Sequence, residues 1–375
     1  MLLNDDPIVT VHGDWHGFDI VRHAHVSQLL RDPRMGRGGP PSDWQPPEAW
    51  RPWFDMTANW MLFRDPPAHT RLRGLVGTAF TPRAIASLRD GIARTADELL
   101  DAALAKREFD LVADYAFELP VRVIADMLGV PREDRAQFKS WSHVLARAID
   151  FNMDDSFMNA ASDVARALDG YIRGLIEDKR ARPGDDILSG IAHARVNDDR
   201  LTTEEIVGTV ALLLFAGHET TVNLIGNGAL AFMRHPDQLA ALRADPGLIE
   251  NAVEEVLRYD SPVQATTRVL FEDVVVENVT LPRGREVTIW IGAANHDPRV
   301  FDAPERFDIR RKDIKHLSFG GGIHYCIGAS LARLEGQIAL SRLFDRSPGL
   351  RVLDAEPRWR ELVVLRGMES LHVAV

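Results

Sequence analysis

A mainly helical α+β fold is predicted by three features of the chain. Helical periodicity dominates from Pro66 to about Asp260, one long apolar stretch opens behind Thr202-Thr203-Glu204-Glu205, and β-branched runs are confined to the part after Ser261-Pro262. Amphipathic segments run from Pro66 to Phe80, Pro82 to Leu104, Arg132 to Ile149 and Asp154 to Arg182. Thr202 and Glu205 fit a capping box, and the apolar run behind them continues to about His235, where Pro236 marks a boundary. A helix so long and apolar is predicted to pass through the centre of the protein. Strands are predicted at Val274–Val276, Val287–Trp290 and Leu362–Leu365, with Leu281-Pro282-Arg283-Gly284 supplying a turn. Residues 1–375 are expected to form one domain.

The stretch Gly36-Arg37-Gly38-Gly39-Pro40-Pro41, continuing to Pro46-Pro47, reads as a loop. Trp44, Trp50, Trp53, Phe54, Trp60 and Phe63 crowd around its end, which a solvated linker would not carry. Either the loop folds onto the body, or it is a lid over an apolar pocket.

Composition bounds the partners. The 375 residues are 45% hydrophobic and 26% charged, with a net charge of −11. That is ample for a large core, and an acidic chain without a long basic run is a poor nucleic-acid binder. The single cysteine precludes an internal disulfide. Met1-Leu2-Leu3-Asn4-Asp5-Asp6 lacks the basic and apolar regions of a secretory signal, and the most apolar run, Val210 to Gly217, is too short to cross a bilayer. A cytoplasmic protein with no membrane and no nucleic-acid partner is expected.

The cysteine lies in Phe319-Gly320-Gly321-Gly322-Ile323-His324-Tyr325-Cys326-Ile327-Gly328. Three glycines let a backbone turn sharply and pass close to something flat. The following Ala329-Ser330-Leu331-Ala332-Arg333-Leu334-Glu335 reads as a helix, so Cys326 sits at a helix N-terminus, where unpaired N–H groups favour a thiolate. A lone cysteine is more often a small buried hydrophobe, but the flanking glycines and the helix start argue against that. A thiolate is the donor that a strong axial bond to heme iron requires. The stretch matches Phe-x-x-Gly-x-x-x-Cys-x-Gly at every fixed position and resembles the heme-ligand signature of the cytochrome P450 family, the soluble bacterial class in particular.

The resemblance extends from about Asp14 to the end. It implies the P450 fold, with a long central helix and a minor strand-rich part, and heme b (iron protoporphyrin IX) as cofactor. Cys326 would be the axial ligand, Phe319 would pack near its sulfur, and Gly320 would shape the loop. His324 would reach a heme propionate, and Gly328 would let the next helix lie near the porphyrin. Propionates need cationic partners: His69 and Arg73, four apart on one helical face, and Arg268, shortly after the Glu255 helix, occupy positions that suit.

A second motif, Ala216-Gly217-His218-Glu219-Thr220-Thr221, lies midway along the long helix. Positions 216, 217 and 220 share a face, and small residues at 216 and 217 leave room for dioxygen. Glycine inside a helix costs roughly 1 kcal/mol against alanine, so a compensating reason is expected. The family's Ala/Gly-Gly-x-Asp/Glu-Thr motif is matched in full, which implies Glu219 as proton relay and Thr220 as hydrogen-bonding alcohol. A zinc-protease reading of His218-Glu219 fails because Val222 stands where the second histidine is needed. Gly226-x-Gly228 lacks the third glycine of a dinucleotide loop.

Glu255 and Arg258, three apart, match the family's Glu-x-x-Arg, an ion pair bracing the heme loop. Arg306, in Pro304-Glu305-Arg306-Phe307, fits its third member by letter, with Arg310 a close competitor. The implied activity is insertion of one oxygen atom of O2 into a small or medium hydrophobic substrate. Its pocket is expected among Trp60, Leu213, Phe215, Val263, Gln264, Thr266 and Val364. With its only cysteine on heme and no flavin or nicotinamide fingerprint, the chain needs a separate ferredoxin or flavodoxin with its reductase. Arg71, Arg310, Arg311, Lys312, Lys315 and Arg333 are candidates to dock it, a solvated charged face being the equal alternative. Two other functions stay open: a peroxide-driven peroxygenase, against which Glu219-Thr220 argues, and a heme-based sensor or carrier.

Overall fold

The computed structural model describes residues 8–10, 17–38, 45–147, 150, 154–194 and 200–375. Met1–Asp6, the Gly39–Trp44 part of the Pro-rich loop and Ile149 lie outside the described residues. The chain folds as two compact units, one made of residues 37–86 and 120–219, the other of residues 1–36, 87–119 and 220–375.

The first unit is helical. Asp154 caps the helix Asp155–Ala181 by accepting a 2.7 Å bond from the Phe157 amide, and the helix Arg51–Thr57 packs on its flank. Of the loop's described aromatics, Trp53 and Trp60 belong to this core, Trp50 and Phe54 are half-buried and Phe63 is exposed, while Arg37 and Gly38 donate their amides to Asp65. Folding of the aromatics onto the body is thus what the described part shows.

The long helix Thr203–Arg234 begins as the capping box dictates. The Glu205 amide donates to Thr202 Oγ1 at 3.2 Å, and the Thr202 amide donates to Glu205 Oε2 at 2.8 Å. The next helix starts at Pro236. This corrects one expectation: at 32 residues the helix is long and apolar enough to span a bilayer, but 78% of its most apolar window is buried inside the protein, as in a core helix.

The second unit carries the strands. A five-stranded sheet orders them Ile8–Thr10, Phe18–Ile20, Glu286–Trp290, Ala265–Leu270 and Met35–Gly36, and only the pairing of Phe18–Ile20 with Glu286–Trp290 is parallel. Ile20, Leu270, Val287 and Ile289 pack with Val26 and Leu29 of the helix His23–Leu29 to form its core. Glu108–Asp110, His372–Ala374 and Arg351–Val352 make a smaller sheet. The expected strand Leu362–Leu365 does not form; it is reduced to one bridge between Val263 and Leu365. The bonds beside it, Gln264 N to Val364 O and Arg366 N to Pro262 O, reach a partner segment that includes Pro262, which has no amide to extend a ladder.

Candidate active site

The cysteine loop is built from short-range backbone bonds. Gly320 N donates to Leu317 O, Tyr325 N to Gly322 O and Cys326 N to Phe319 O at 2.7, 3.1 and 2.9 Å. Gly322 has φ +64, and a Cβ there would fall 2.5 Å from Leu30 O. This glycine permits a close approach to the chain just past the helix His23–Leu29. Cys326 is half-buried and lies just ahead of the helix Ala329–Arg346, whose cap is Gly328; Ala329 N donates to Cys326 O, and a Cβ on Gly328 would lie 3.9 Å from the sulfur. A thiol placed there, beside amides that open a helix, suits a thiolate.

Behind the loop, Glu255 and Arg258 meet with both side chains 0% exposed, Arg258 Nε and Nη2 donating to the two carboxylate oxygens at 2.7 and 2.9 Å. Arg258 also bonds the carbonyls of Asn295, Pro304 and Arg306. The third member is Arg311, whose Nε reaches Glu255 at 3.2 Å. This corrects both Arg306 and Arg310. Arg306 gives only its carbonyl to the cluster; its guanidinium, 64% exposed, turns to Asp308. Asn295 bonds Leu317 N and Ser318 Oγ, and Ser318 Oγ donates to Leu257 O, tying the brace to the root of the loop.

A second anchor was missed in the sequence. Glu254 accepts from His316 Nε2 at 3.0 Å and from Arg333 Nε at 2.6 Å, and the Arg333 guanidinium lies 4.4 Å from the centre of the Phe319 ring. Burial alone would push the Glu254 carboxyl up, but these partners outweigh it and hold it down to about 2. The Arg333 of Leu331-Ala332-Arg333 was the available signal, read instead as surface charge. Among the docking candidates, Arg71 is bound to Glu205 and Arg311 and Arg333 to the two glutamates, which leaves Arg310, Lys312 and Lys315 exposed.

Arg268 is buried on the strand Ala265–Leu270, donating to Thr266 Oγ1 at 3.2 Å and Thr267 O at 2.7 Å. His324 is half-buried on the turn Gly322–His324. Gln264 Nε2 donates to Ser261 O at 2.7 Å. Val263 is half-buried and Val364 buried beside the same bridge.

In the other unit, His69 and Arg73 sit one turn apart on the helix Ala68–Gly77. Burial of the His69 ring, and then the Arg73 charge, lower its pKa below the usual histidine range. Every residue of the long helix from Ile206 to Phe215 is buried, yet Ala216 is exposed, so accessible space opens on its face. A Cβ on Gly217 would lie 3.1 Å from Ile124, so the glycine makes room for that side chain. Glu219 is buried with Oε2 3.5 Å from His218 Nε2. Trp60 and Leu213 are buried, and Trp60 is stacked on Phe215 and Phe63 with ring centres 5.6 and 5.8 Å apart. Phe215 also borders a cavity of about 20 Å³ with His218, Phe138 and Trp141. Thr220, one residue past Glu219, is half-buried and belongs to the cysteine's unit.

Comparison with known proteins decides the family. Residues 51–346 match the cytochrome P450 family. The chain is 45% identical over 365 residues to cytochrome P450 107B1 of Saccharopolyspora erythraea, covering 94% of this chain and 88% of the other. It is 44% identical to the vitamin D(3) 25-hydroxylase of Pseudonocardia autotrophica, covering 95% and 87%. Among solved structures, P450BioI in complex with hexadec-9Z-enoic acid ligated acyl carrier protein superposes with TM-score 0.94 at 39% identity, over 99% of this chain and 95% of that one.

The chain belongs to the cytochrome P450 family. It is a P450 monooxygenase close to the soluble bacterial members, and the family's cofactor is a heme-thiolate. The residues present fit that group: the only thiol of the chain stands half-buried at a helix start, in a loop fixed by one buried and one half-buried anchor, and the same unit holds a buried guanidinium, Arg268, suited to a carboxylate.

Proposed function

We propose that this P450 inserts one oxygen atom of O2 into a small or medium hydrophobic substrate, with heme b held through Cys326 and electrons drawn from a separate ferredoxin or flavodoxin and its reductase. The single observation that carries the reading is the placement of Cys326, half-buried just ahead of the helix Ala329–Arg346 and anchored through Phe319. Arg268, His324, His69 and Arg73 would take the propionates. When bound, the heme supplies dioxygen binding and activation, helped by electron donation from the thiolate. Thr220 would donate a hydrogen bond at Oγ1, and Glu219 would pass protons to it. Both units, residues 1–375, would work as one oxygenase domain in the cytoplasm.

The substrate class is supported by relatives whose names speak of vitamin D(3), a polyketide pathway and a long-chain acyl group on a carrier protein. Exposed Arg310, Lys312 and Lys315 would meet an acidic electron donor, and reduction would then slow as salt rises.

Cys326→Ser tests the assignment. We expect it to lose the thiolate-type ferrous carbonyl spectrum; retention of that spectrum would overturn the reading. Turnover with hydrogen peroxide alone, as fast as with a reductase system, would replace it with a peroxygenase. A ligand screen watching the ferric spectrum would identify the substrate class.

A further inference from the structure

Hydroxylation by this family consumes protons as well as electrons. Dioxygen, a C–H substrate, a pair of electrons and a pair of protons give the alcohol and water. The redox partner supplies the electrons, and solvent must supply the protons. Within the unit that holds Thr220, buried polar groups continue along the long helix in the direction of its C-terminus.

Asn223 lies one turn beyond Thr220 and is 2% exposed. Neither its Nδ2 nor its Oδ1 has a hydrogen-bond partner among the described residues. A buried carboxamide left in that condition is unfavourable, and water is the usual completion. The side chain lies against Gly367, where a Cβ would fall 1.8 Å from Asn223 Oδ1. Asn227 lies one further turn along. Its Nδ2 donates to the carbonyls of Asp260 and Arg366, at 3.3 and 3.1 Å, while its Oδ1 has no partner among the described residues.

Asn227 also lines a cavity of about 280 Å³, together with Asp260, Gln264, His296, Trp359 and Arg366. The Arg366 guanidinium pairs with Asp260, stacks over Trp359 at 4.0 Å and is 44% exposed, so the cavity mouth reaches solvent. The consecutive residues Arg366 and Gly367 therefore touch Asn227 and Asn223 in turn. They join the cavity to the helix face one turn from Thr220.

We propose that Asn223 and Asn227 are positioning residues of a hydrated track that carries water and protons from the Asp260–Arg366 cavity along the long helix to the Thr220 hydroxyl. No bond to carbon forms on this path. Protons pass along hydrogen-bonded water, and the asparagines hold that water in line without titrating. Burial raises the Asp260 carboxyl above its ordinary range, against the opposing charge of Arg366. The inference rests on the reading of Thr220 as the proton-handling alcohol.

The test uses the heme-loaded enzyme with its reductase system. Asn223→Leu keeps the branching of the side chain, with more bulk, and removes the hydrogen-bonding groups; Gly367→Ala fills the same space from the other side. We expect both to retain the thiolate carbonyl spectrum while product formed per electron pair falls roughly tenfold, less than the ~10²–10⁴ that a positioned proton donor itself contributes. The difference should appear as hydrogen peroxide, the solvent isotope effect should rise, and Asn223→Ser should recover part of the coupling. A crystal structure of the enzyme should show ordered water on the Asn223 carboxamide. Were Asn223→Leu not to fold, Gly367→Ala and that water would decide. Unchanged coupling and isotope effect, or a carboxamide bonded directly to protein groups in the crystal, would overturn the track. If Thr220→Ala uncouples the enzyme while the Asn223 and Gly367 variants do not, the track alone falls. If none of them does, the reading of Thr220 falls with it.

Discussion

The brace behind the cysteine loop and the aromatic cluster around Trp60 both centre on fully buried side chains and are differently built. Glu255, Arg258 and Trp60 are all 0% exposed. The brace is held by charge-assisted, directional bonds: Arg258 alone engages a carboxylate twice and three backbone carbonyls. The cluster is held by ring contacts among Trp53, Trp60, Phe63 and Phe215 at 5.5 to 5.8 Å, some edge-on and some stacked. Directional bonds admit one geometry, while dispersion and burial admit any side chain of about the right volume. A loop that must present one sulfur atom needs the first kind of support. A region that shapes an apolar interior is served by the second.

The comparison is sharpened most by conservative substitution. Truncation would not separate the regions, because Arg258→Ala takes the bidentate partner from a buried carboxylate and Trp60→Ala opens a cavity, each at about 3–5 kcal/mol. Arg258→Lys and Trp60→Phe should separate them. Lysine keeps the charge but cannot span both carboxylate oxygens and the carbonyls together, so we expect a loss of about 2 kcal/mol or more. Trp60→Phe keeps an aromatic ring and opens a smaller cavity than truncation, so it should cost about 1–2 kcal/mol, less than the lysine change. Urea unfolding followed by tryptophan fluorescence and circular dichroism measures both. If lysine is the milder change, the brace is not directional in the sense argued.

Within the brace, Arg311 and Arg306 offer a smaller contrast. Arg311→Ala removes bonds to buried Glu255 and to the carbonyls of Asp302, Ala303 and Arg306, and should cost about 1.5–3 kcal/mol. Arg306→Ala removes an exposed pair with Asp308, and its carbonyl stays in place; the change should stay within about 0.5 kcal/mol. Equal effects would mean that the cluster does not choose between them.

That pair also marks where the sequence stops being legible. The cysteine loop, the capping box at Thr202 and the spacing of Glu255 and Arg258 are local patterns, written within one turn or one loop, and could be read as letters. Arg311 could not. It reaches Glu255 through a stretch of turns with no period, including Ala303 at φ +43, so the nearest arginine by letter was the wrong one. Asn295 with Ser318, and Glu254 with His316 and Arg333, are likewise joined only by tertiary folding. Leu362–Leu365 failed for a related reason: its own residues suit a strand, but the segment opposite contains Pro262. The aromatics near Trp60 show that composition signals burial without saying whether the buried ring belongs to a core or lines a pocket.

A pH-dependent effect is expected at Glu254, the second anchor of the loop. Its carboxyl is depressed from the ordinary 4.5 to about 2, so the folded protein favours the anion more than the unfolded chain does. Its contribution is therefore complete above the unfolded value and is lost as pH falls through the folded one. Glu254→Gln should be destabilised by a constant amount from neutrality down to about pH 5, and the gap to the parent should close between about pH 4.5 and pH 2. Unfolding free energies of the two proteins, measured in urea across that range, check it. A gap that widens on acidification would show that His316 and Arg333 do not favour the anion. Phe319 would then owe its position to ring packing alone, and the anchor would resemble the Trp60 cluster rather than the brace beside it.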